Sequence, residues 1–337
     1  MSLATKWRPN TWESVIGQDT TVNILKKQIE TKSLKNTYIF SGASGCGKTT
    51  VARIFAQAIN DSTGAPIEID AASNNGVDNI KEIVRNAGER SLDGKYKVFI
   101  IDEAHMLTTQ AWNAFLKCIE EPPLFTIFIF CTTDPQKIPD TIKNRCMRFN
   151  FNRIPTYLIK RNLDIICDLE GLTNYETATD IISNICNGEM RNGISMLEKC
   201  MDFSDNLSAD VVLNCLGMFS YDLYFNLINN IIDGRVKESV KIIDDVYNGG
   251  TDLKLFIDKF LEFCIDVTKY ILNNDIAATN IPNTYLEDVR RCTGIENASN
   301  YYYYFVDKLL ELKQMIKQDS NIVSTIEVMI IKMCNLK

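Results

Sequence analysis

The segment GASGCGKT, residues 42–49, places three glycines, a lysine and a threonine at fixed spacing. It fits G-x-x-x-x-G-K-[ST], a loop whose glycines let successive backbone N–H groups turn towards phosphate oxygens. We expect Lys48 to reach the β- and γ-phosphates of ATP and Thr49 to supply a hydroxyl to Mg²⁺. The residues assigned to the nucleotide here are Gly42, Ser44, Gly45, Cys46, Gly47, Lys48, Thr49 and Thr50.

Two carboxylates follow the apolar run KVFIID. Asp102 and Glu103 would lie at the end of a strand, at the edge where open α/β sheets bind ligands. Asp102 is suited to the Mg²⁺ shell, and Glu103 to orienting the water that attacks the γ-phosphate. His105, the one histidine of the chain, completes Asp-Glu-Ala-His. Because Glu103 already fills the catalytic role, we expect His105 to be structural.

Short β-rich runs alternate with amphipathic helical segments up to Phe151. The runs are TYIFS (37–41), PIEID (66–70), KVFIID (97–102), TIFIFC (126–131) and RFNF (148–151). This βαβ alternation predicts a parallel five-stranded sheet in an α/β nucleotide-binding core. Beyond Phe151 the pattern indicates helices separated by glycine and asparagine turns. We therefore divide the chain into a core (1–152), a small helical lid (153–205) and an all-helical domain (206–337).

Composition narrows the class of protein. The chain has 337 residues, a net charge of −7, and a hydrophobic share of 45%, which is typical of globular proteins and argues against coating nucleic acid by bulk charge. Its 11 cysteines are scattered without a CxxC pair, so we expect buried thiols and no zinc. The N-terminus has no apolar signal core and no run reaches membrane-spanning length, which indicates the cytoplasm.

Several segments together carry a family resemblance. They are KWRPNTWESVIGQ, FSGASGCGKTTVAR, IEIDAASNNGVDNIKEI, KVFIIDEAHMLTTQAWNAFLKCIEEPP and CTTDPQKIPDTIKNRC. These segments, dense over residues 5–200, resemble the gamma/tau subunits of bacterial DNA polymerase III, the AAA+ ATPases of the sliding-clamp loader. The resemblance implies an AAA+ core, a lid and a collar domain for oligomerisation. It also implies ATP and Mg²⁺ as cofactors, with other loader subunits, the clamp and primer-template DNA as partners.

The resemblance also implies roles for individual residues. Trp7, Arg8, Val15 and Ile16 match the segment that lines the adenine pocket. Thr132, with Thr133 beside it, matches the first sensor of the γ-phosphate. Arg145 matches the arginine that reaches the ATP of a neighbouring subunit, and Arg191 matches the lid sensor arginine. The N-terminal end of the helix TTQAWNAFLKCIEE, near Met106 and Leu107, would face the clamp, so Leu107 is expected either to contact the clamp or to belong to the core.

Two departures from the family pattern stand out. The family carries a four-cysteine zinc module between the helix after the phosphate-binding loop and the second strand, whereas INDSTGAP crosses that gap without cysteine. Asn144 stands where the family has serine. The sequence also ends after the expected collar domain, so we expect a short, gamma-like form.

Three functions remain open from the sequence. The first is a motor subunit that hydrolyses ATP to open the clamp and load it onto primed DNA. The second is another AAA+ replication ATPase, such as a helicase loader or branch-migration motor; a two-domain helicase would need a second α/β core. The third is a structural loader subunit that does not hydrolyse ATP, against which the complete set Lys48, Asp102 and Glu103 argues.

Overall fold

The computed structural model describes residues 1–61, 63–89, 94–217, 219–249, 252–317 and 321–335. The chain forms two compact units. One consists of Met1–Ile166 and Cys186–Glu198, and the other of Cys167–Ile185 and Lys199–Lys337. The helices are α1 Leu3–Lys6, α2 Asp19–Glu30, α3 Lys48–Ile59, α4 Val77–Ala87, α5 Thr109–Glu120, α6 Asp140–Lys143, α7 Thr156–Glu170, α8 Glu176–Ile185, α9 Met190–Met201, α10 Ala209–Cys215, α11 Tyr221–Ile232, α12 Val236–Asn248, α13 Leu253–Asn273, α14 Leu286–Thr293, α15 Ala298–Met315 and α16 Ile322–Cys334.

The first unit contains a five-stranded sheet in the order β2-β3-β4-β1-β5, and its paired strands are parallel. The strands are β1 Thr37–Gly42, β2 Ile67–Asp70, β3 Lys97–Asp102, β4 Thr126–Thr132 and β5 Met147–Phe151. The fold class expected from the βαβ alternation is therefore confirmed, and each strand differs from its predicted range by at most one residue at either end. Because every strand runs the same way, the loops that follow β1, β3 and β4 meet at one edge.

Two hydrophobic cores cover the two faces of this sheet. Successive side chains of a strand point to opposite faces. Ile39, Phe99 and Phe128 accordingly pack in one core with α4 and α5, whereas Tyr38 and Phe40 pack in the other with α2 and α3. Both faces are covered by helices, which explains why the central strands β1, β3 and β4 are apolar almost throughout, whereas the edge strands β2 and β5 alternate.

Helix α5 packs against the first of these cores. Trp112, Phe115 and Ile119 are buried as their spacing predicts, while Leu116 is half-buried. The residues before the helix correct one expectation. Leu107 is buried in the same core and only 6% exposed, so the accessible apolar side chain at this end is Met106, which is 45% exposed.

The second unit is helical, as expected for the segment after the sheet. Its core is rich in aromatic side chains, with Phe256, Phe260, Tyr302 and Phe305 among the fully buried ones.

Nine of the 11 cysteines are buried thiols, and Cys146 and Cys215 are half-buried. In the described part of the chain, no helix has the length and apolarity needed to cross a bilayer.

Gly42 provides a test of how tightly the sheet constrains the phosphate-binding loop. A Cβ on Gly42 would lie 2.2 Å from the carbonyl oxygen of Phe151 on the neighbouring strand, with φ at +153°. Gly47, at φ +103°, has no described atom within 4 Å of such a Cβ, so its replacement adds backbone strain alone, about 1–3 kcal/mol. We predict that Gly42→Ala lowers the melting temperature more than Gly47→Ala in thermal unfolding. Equal shifts would contradict the close approach of β5.

Candidate nucleotide-binding site

The phosphate-binding loop joins the end of β1 to the start of α3. Gly42, Gly45 and Gly47 have φ of +153°, +64° and +103°, a region that glycine adopts without steric cost. The loop ends where α3 begins at Lys48, so the free N–H groups of a 12-residue helix face the loop. Such a helix N-terminus is suited to binding phosphate.

Two side chains, Lys48 and Gln18, hold this loop by hydrogen bonds. Lys48 is buried, and its Nζ donates to the carbonyl oxygens of Gly42 at 2.9 Å and Ala43 at 2.7 Å. An ammonium has three donors, so one remains for a phosphate oxygen. The buried Gln18 donates from Nε2 to the carbonyl oxygens of Cys46 at 3.3 Å and Asn152 at 2.8 Å. This role of Gln18 could not be predicted from the sequence, because the residues that it contacts are remote in the chain.

Thr49 and Asp102 meet at the end of β3. The Thr49 hydroxyl donates to Asp102 Oδ2 at 2.8 Å, and Asp102 Oδ1 accepts the Glu103 N–H at 3.0 Å. Hydroxyl and carboxylate oxygens are the hard ligands that Mg²⁺ prefers, and this metal is commonly held by one or two protein oxygens together with substrate phosphates. The two side chains therefore fit a Mg²⁺ that accompanies a nucleotide.

Glu103 stands beside them in an unusual backbone conformation. It has φ 48° and ψ 41°, in the left-handed region that is uncommon for residues other than glycine and that often marks functional sites. Its Oε2 lies 3.4 Å from the Thr133 hydroxyl and 3.4 Å from His105 Nδ1. His105 Nδ1 is also 3.3 Å from the hydroxyl of Thr132.

The phosphate-binding loop, Asp102 and Glu103 line a cavity of about 440 Å³ in the first unit. Its wall brings together most of the residues expected at the nucleotide, namely Trp7, Arg8, Val15, Ile16, Ser44, Gly45, Cys46, Gly47, Lys48, Thr49, Thr50, Asp102, Glu103 and Arg191. Of the described residues expected there, Gly42 and Thr132 are not in the wall, and neither is Arg145, which was expected at the ATP of a neighbouring subunit. The Gly42 carbonyl oxygen accepts a hydrogen bond from Lys48, which lies in the wall. Thr132 is fully buried and contacts His105.

Cationic side chains gather near the phosphate-binding loop. Burial lowers the pKa of Arg8, and the neighbouring charges of Arg53 and Arg191 lower it further. Arg53 pairs with Glu68, and its Nε is buried without a hydrogen-bond partner among the described residues. Such mutual repulsion is relieved by an anion, which fits a triphosphate. Sequence reasoning missed Arg53, although it belongs to the segment TTVAR that follows the loop.

An apolar part of the wall suits a flat base. Beside Val15 and Ile16 it contains Ile154 and Ile194, two residues that sequence reasoning did not single out. Ile154 follows β5, and Ile194 lies on α9 one turn beyond Arg191. Their apolar character alone gave no signal, because buried isoleucine is common in any core.

Arg145 lies at the opposite edge of the sheet. Its carbonyl oxygen accepts from the hydroxyl of Thr37, the first residue of β1, at 3.0 Å, whereas the phosphate-binding loop begins at Gly42, the last. Five residues of strand place the two about 17 Å apart. The guanidinium donates to Glu120 at 2.8 Å and to the carbonyl oxygen of Thr141 at 2.7 Å.

Known proteins match both halves of the chain. A family model described as DNA polymerase III subunits gamma and tau domain III matches residues 207–337, and one described as DNA polymerase III, delta subunit matches residues 66–155. The tau subunit of Bacillus subtilis DNA polymerase III is 40% identical over 222 residues, which are 60% of this chain and 39% of that protein. Over these residues the chain is similar to the gamma and tau subunits of DNA polymerase III.

Two further proteins are similar to the chain, one in sequence and one in fold. The DNA polymerase III gamma subunit of Buchnera aphidicola is 36% identical over 225 residues, covering 60% of this chain and 62% of that subunit. The chain thus spans less than two thirds of the length of these gamma/tau relatives. Among solved structures, Thermotoga maritima RuvB, titled a Holliday junction branch migration motor, matches with a TM-score of 0.53 and 17% identity. This match covers 73% of this chain and 86% of RuvB, and at such low identity it supports the AAA+ fold alone.

The site predicts two separable defects. Lys48→Ala removes the cation aimed at the β- and γ-phosphates, so it should weaken ATP binding, whereas Glu103→Gln keeps the binding wall and should retain ATP but hydrolyse it at least about 100-fold more slowly. Calorimetry of ATP binding and a phosphate-release assay measure the two effects. Equal loss of ATP affinity in both variants would contradict the division of roles.

Proposed function

We propose that the chain is an ATP-hydrolysing motor subunit of a sliding-clamp loader, which opens the processivity clamp and loads it onto primed DNA. The observation that carries this proposal is the cavity at the carboxyl edge of the sheet. It combines a phosphate-binding loop, a pair of ligands suited to Mg²⁺ and a carboxylate in a chain related to gamma and tau subunits.

Each group has a distinct task in the proposed reaction. Lys48 and the N-terminus of α3 hold the phosphates, and Thr49 with Asp102 would hold the metal. Mg²⁺ neutralises charge on the β- and γ-phosphate oxygens. Glu103 orients a water for attack on the γ-phosphate, since phosphoryl transfer depends mostly on positioning and charge. Arg8 and Arg191 supply positive charge to the wall of the site.

Two alternatives are less well supported. RuvB shares the fold, but a branch-migration motor or helicase loader draws no support from the gamma/tau relatives. A subunit that only builds the ring would not need a complete catalytic set. Lys48, Thr49, Asp102 and Glu103 are all present and adjoin one cavity.

The proposal implies partners outside the chain. With a net charge of −7, the chain should hold primer-template DNA through local phosphate contacts inside an assembled ring, in the cytoplasm. The N-terminus of α4 is a candidate for such a contact because its N–H groups favour anions. The exposed Met106 is the apolar side chain available to a clamp at the start of the α5 segment.

A reconstituted assembly tests this function. We predict that the ATPase rate of the complete loader rises when the cognate clamp and primed DNA are both added. Clamp alone and unprimed duplex serve as controls, because a loader must respond to the combined substrate. An unchanged rate with clamp and primed DNA together would contradict the proposed function.

Arg145 provides a second prediction. Because it lies at the edge away from its own phosphate-binding loop, we propose that it acts on the ATP of a neighbouring subunit. Arg145→Ala should leave the ATP affinity of the single chain intact and lower the ATPase of the assembly by roughly 10³-fold, the lower end for arginine fingers. Lysine should substitute poorly, since it lacks the planar fork of donors.

Mixing subunits tests the direction of action. In rings assembled from Arg145→Ala and Glu103→Gln chains, turnover should return at interfaces where an intact Glu103 faces an intact Arg145. If no mixture recovers turnover, and Arg145→Ala also lowers the basal rate of the single chain, then the arginine acts within its own subunit.

A further inference from the structure

His105 lies between two residues of the proposed site. A single ring nitrogen, Nδ1, is 3.4 Å from Glu103 Oε2 and 3.3 Å from the Thr132 hydroxyl. The His105 side chain is 13% exposed and the Glu103 side chain 40% exposed, so the histidine sits behind the carboxylate. Separations at this long end are common in nucleotide-free or substrate-free active sites and shorten when the substrate closes the site.

The backbone holds the two residues in this relation. Glu103 adopts the left-handed conformation and begins a short 3₁₀ helix, Ala104–Met106, that includes His105. The Met106 N–H donates to the Glu103 carbonyl oxygen at 2.8 Å, which closes this turn. The left-handed backbone at Glu103 therefore directs the Glu103 carboxylate and the His105 imidazole to the same place.

The two neighbours of Nδ1 differ as acceptors. The Thr132 oxygen already accepts the Asp134 N–H at 3.0 Å, and it is a neutral hydroxyl. The Glu103 carboxylate accepts only, and hydrogen bonds to an ionised acceptor are the stronger ones. Of these two neighbours the Glu103 carboxylate is the stronger acceptor, whereas the hydrogen bond that the structure shows at Nδ1 is the one with the Thr132 hydroxyl.

We propose that His105 is a positioning residue for ATP hydrolysis, which donates its Nδ1 proton to Glu103 Oε2. Thr133 donates to the same oxygen at 3.4 Å, so two donors fix Oε2 and leave Oε1 for the attacking water. If Nδ1 instead accepted from Thr132, it would carry no proton to donate to the carboxylate. Conversion of the Nε2–H tautomer into the Nδ1–H tautomer releases one proton from Nε2 to solvent and takes up one proton at Nδ1. The charge of the His105 ring is therefore unchanged. This inference rests on the proposed ATPase.

Two amide variants separate the two ring nitrogens. The side-chain NH₂ of asparagine can occupy the position of Nδ1, whereas the longer glutamine carries its amide near the position of Nε2. His105→Asn should therefore retain most of the turnover number. His105→Gln and His105→Leu should lower it by about 10- to 100-fold, as is typical when a group that orients another is lost, with ATP affinity within about twofold. Equal turnover in Asn, Gln and Leu variants would overturn the proposal.

The single histidine also allows a direct measurement that does not need turnover. In protein labelled with ¹⁵N-histidine, the imidazole signals belong to His105 alone. Two-dimensional ¹H–¹⁵N spectra of the full chain with Mg²⁺ and a non-hydrolysable ATP analogue should show a proton on Nδ1, with a signal that shifts in Glu103→Gln. A bare Nδ1 and an Nε2–H tautomer in the nucleotide-bound chain would overturn the proposal.

The two proposals fail in different ways. If the unaltered chain neither binds nor hydrolyses ATP in a complete loader, the proposed function fails. If the unaltered loader is active but the three His105 variants match it, only the role of His105 fails.

Discussion

The parallel direction of the five strands is the constraint on which the rest of the site depends. It places the carboxyl ends of β1, β3 and β4 at one edge, so the phosphate-binding loop, Asp102 and the Thr132–Thr133 pair come together although about ninety residues separate the first from the last. The hydrogen bond between Thr49 and Asp102, at 2.8 Å, joins α3 to β3 at this edge. A sheet of mixed direction would send one of these loops to the other side.

The same constraint places Arg145 out of reach of its own site. It lies just before β5, at the amino edge, where its guanidinium contacts Glu120 at the end of α5. One chain thus has the candidate nucleotide cavity at one edge of the sheet and Arg145, paired with Glu120, at the other. The exposed pair with Glu120 contributes little to stability.

Much of this could be predicted because it depends on local pattern. GASGCGKT dictates its own backbone through glycine, and apolar runs define the central strands β1, β3 and β4 because both of their faces are buried. Features that depend on distant contacts could not be predicted. The burial of Thr132, the pairing of Arg53 with Glu68 and the role of Gln18 all involve partners remote in sequence. Leu107 was expected near an accessible helix end. Apolar periodicity does not distinguish a leucine that is buried at the edge of the core from one that is exposed.

His105 illustrates the limit of assigning roles by type. The sequence indicated a structural residue once Glu103 had taken the catalytic role, and only the geometry brings its Nδ1 to the carboxylate. The central claim, however, is that the carboxyl edge binds ATP with Mg²⁺. A crystal structure of the chain with Mg²⁺ and a non-hydrolysable ATP analogue tests it most directly. The γ-phosphate should then contact Lys48 Nζ, and Mg²⁺ should bind the Thr49 hydroxyl beside Asp102. A nucleotide bound elsewhere, with Thr49 and Asp102 still bonded only to each other, would contradict the account.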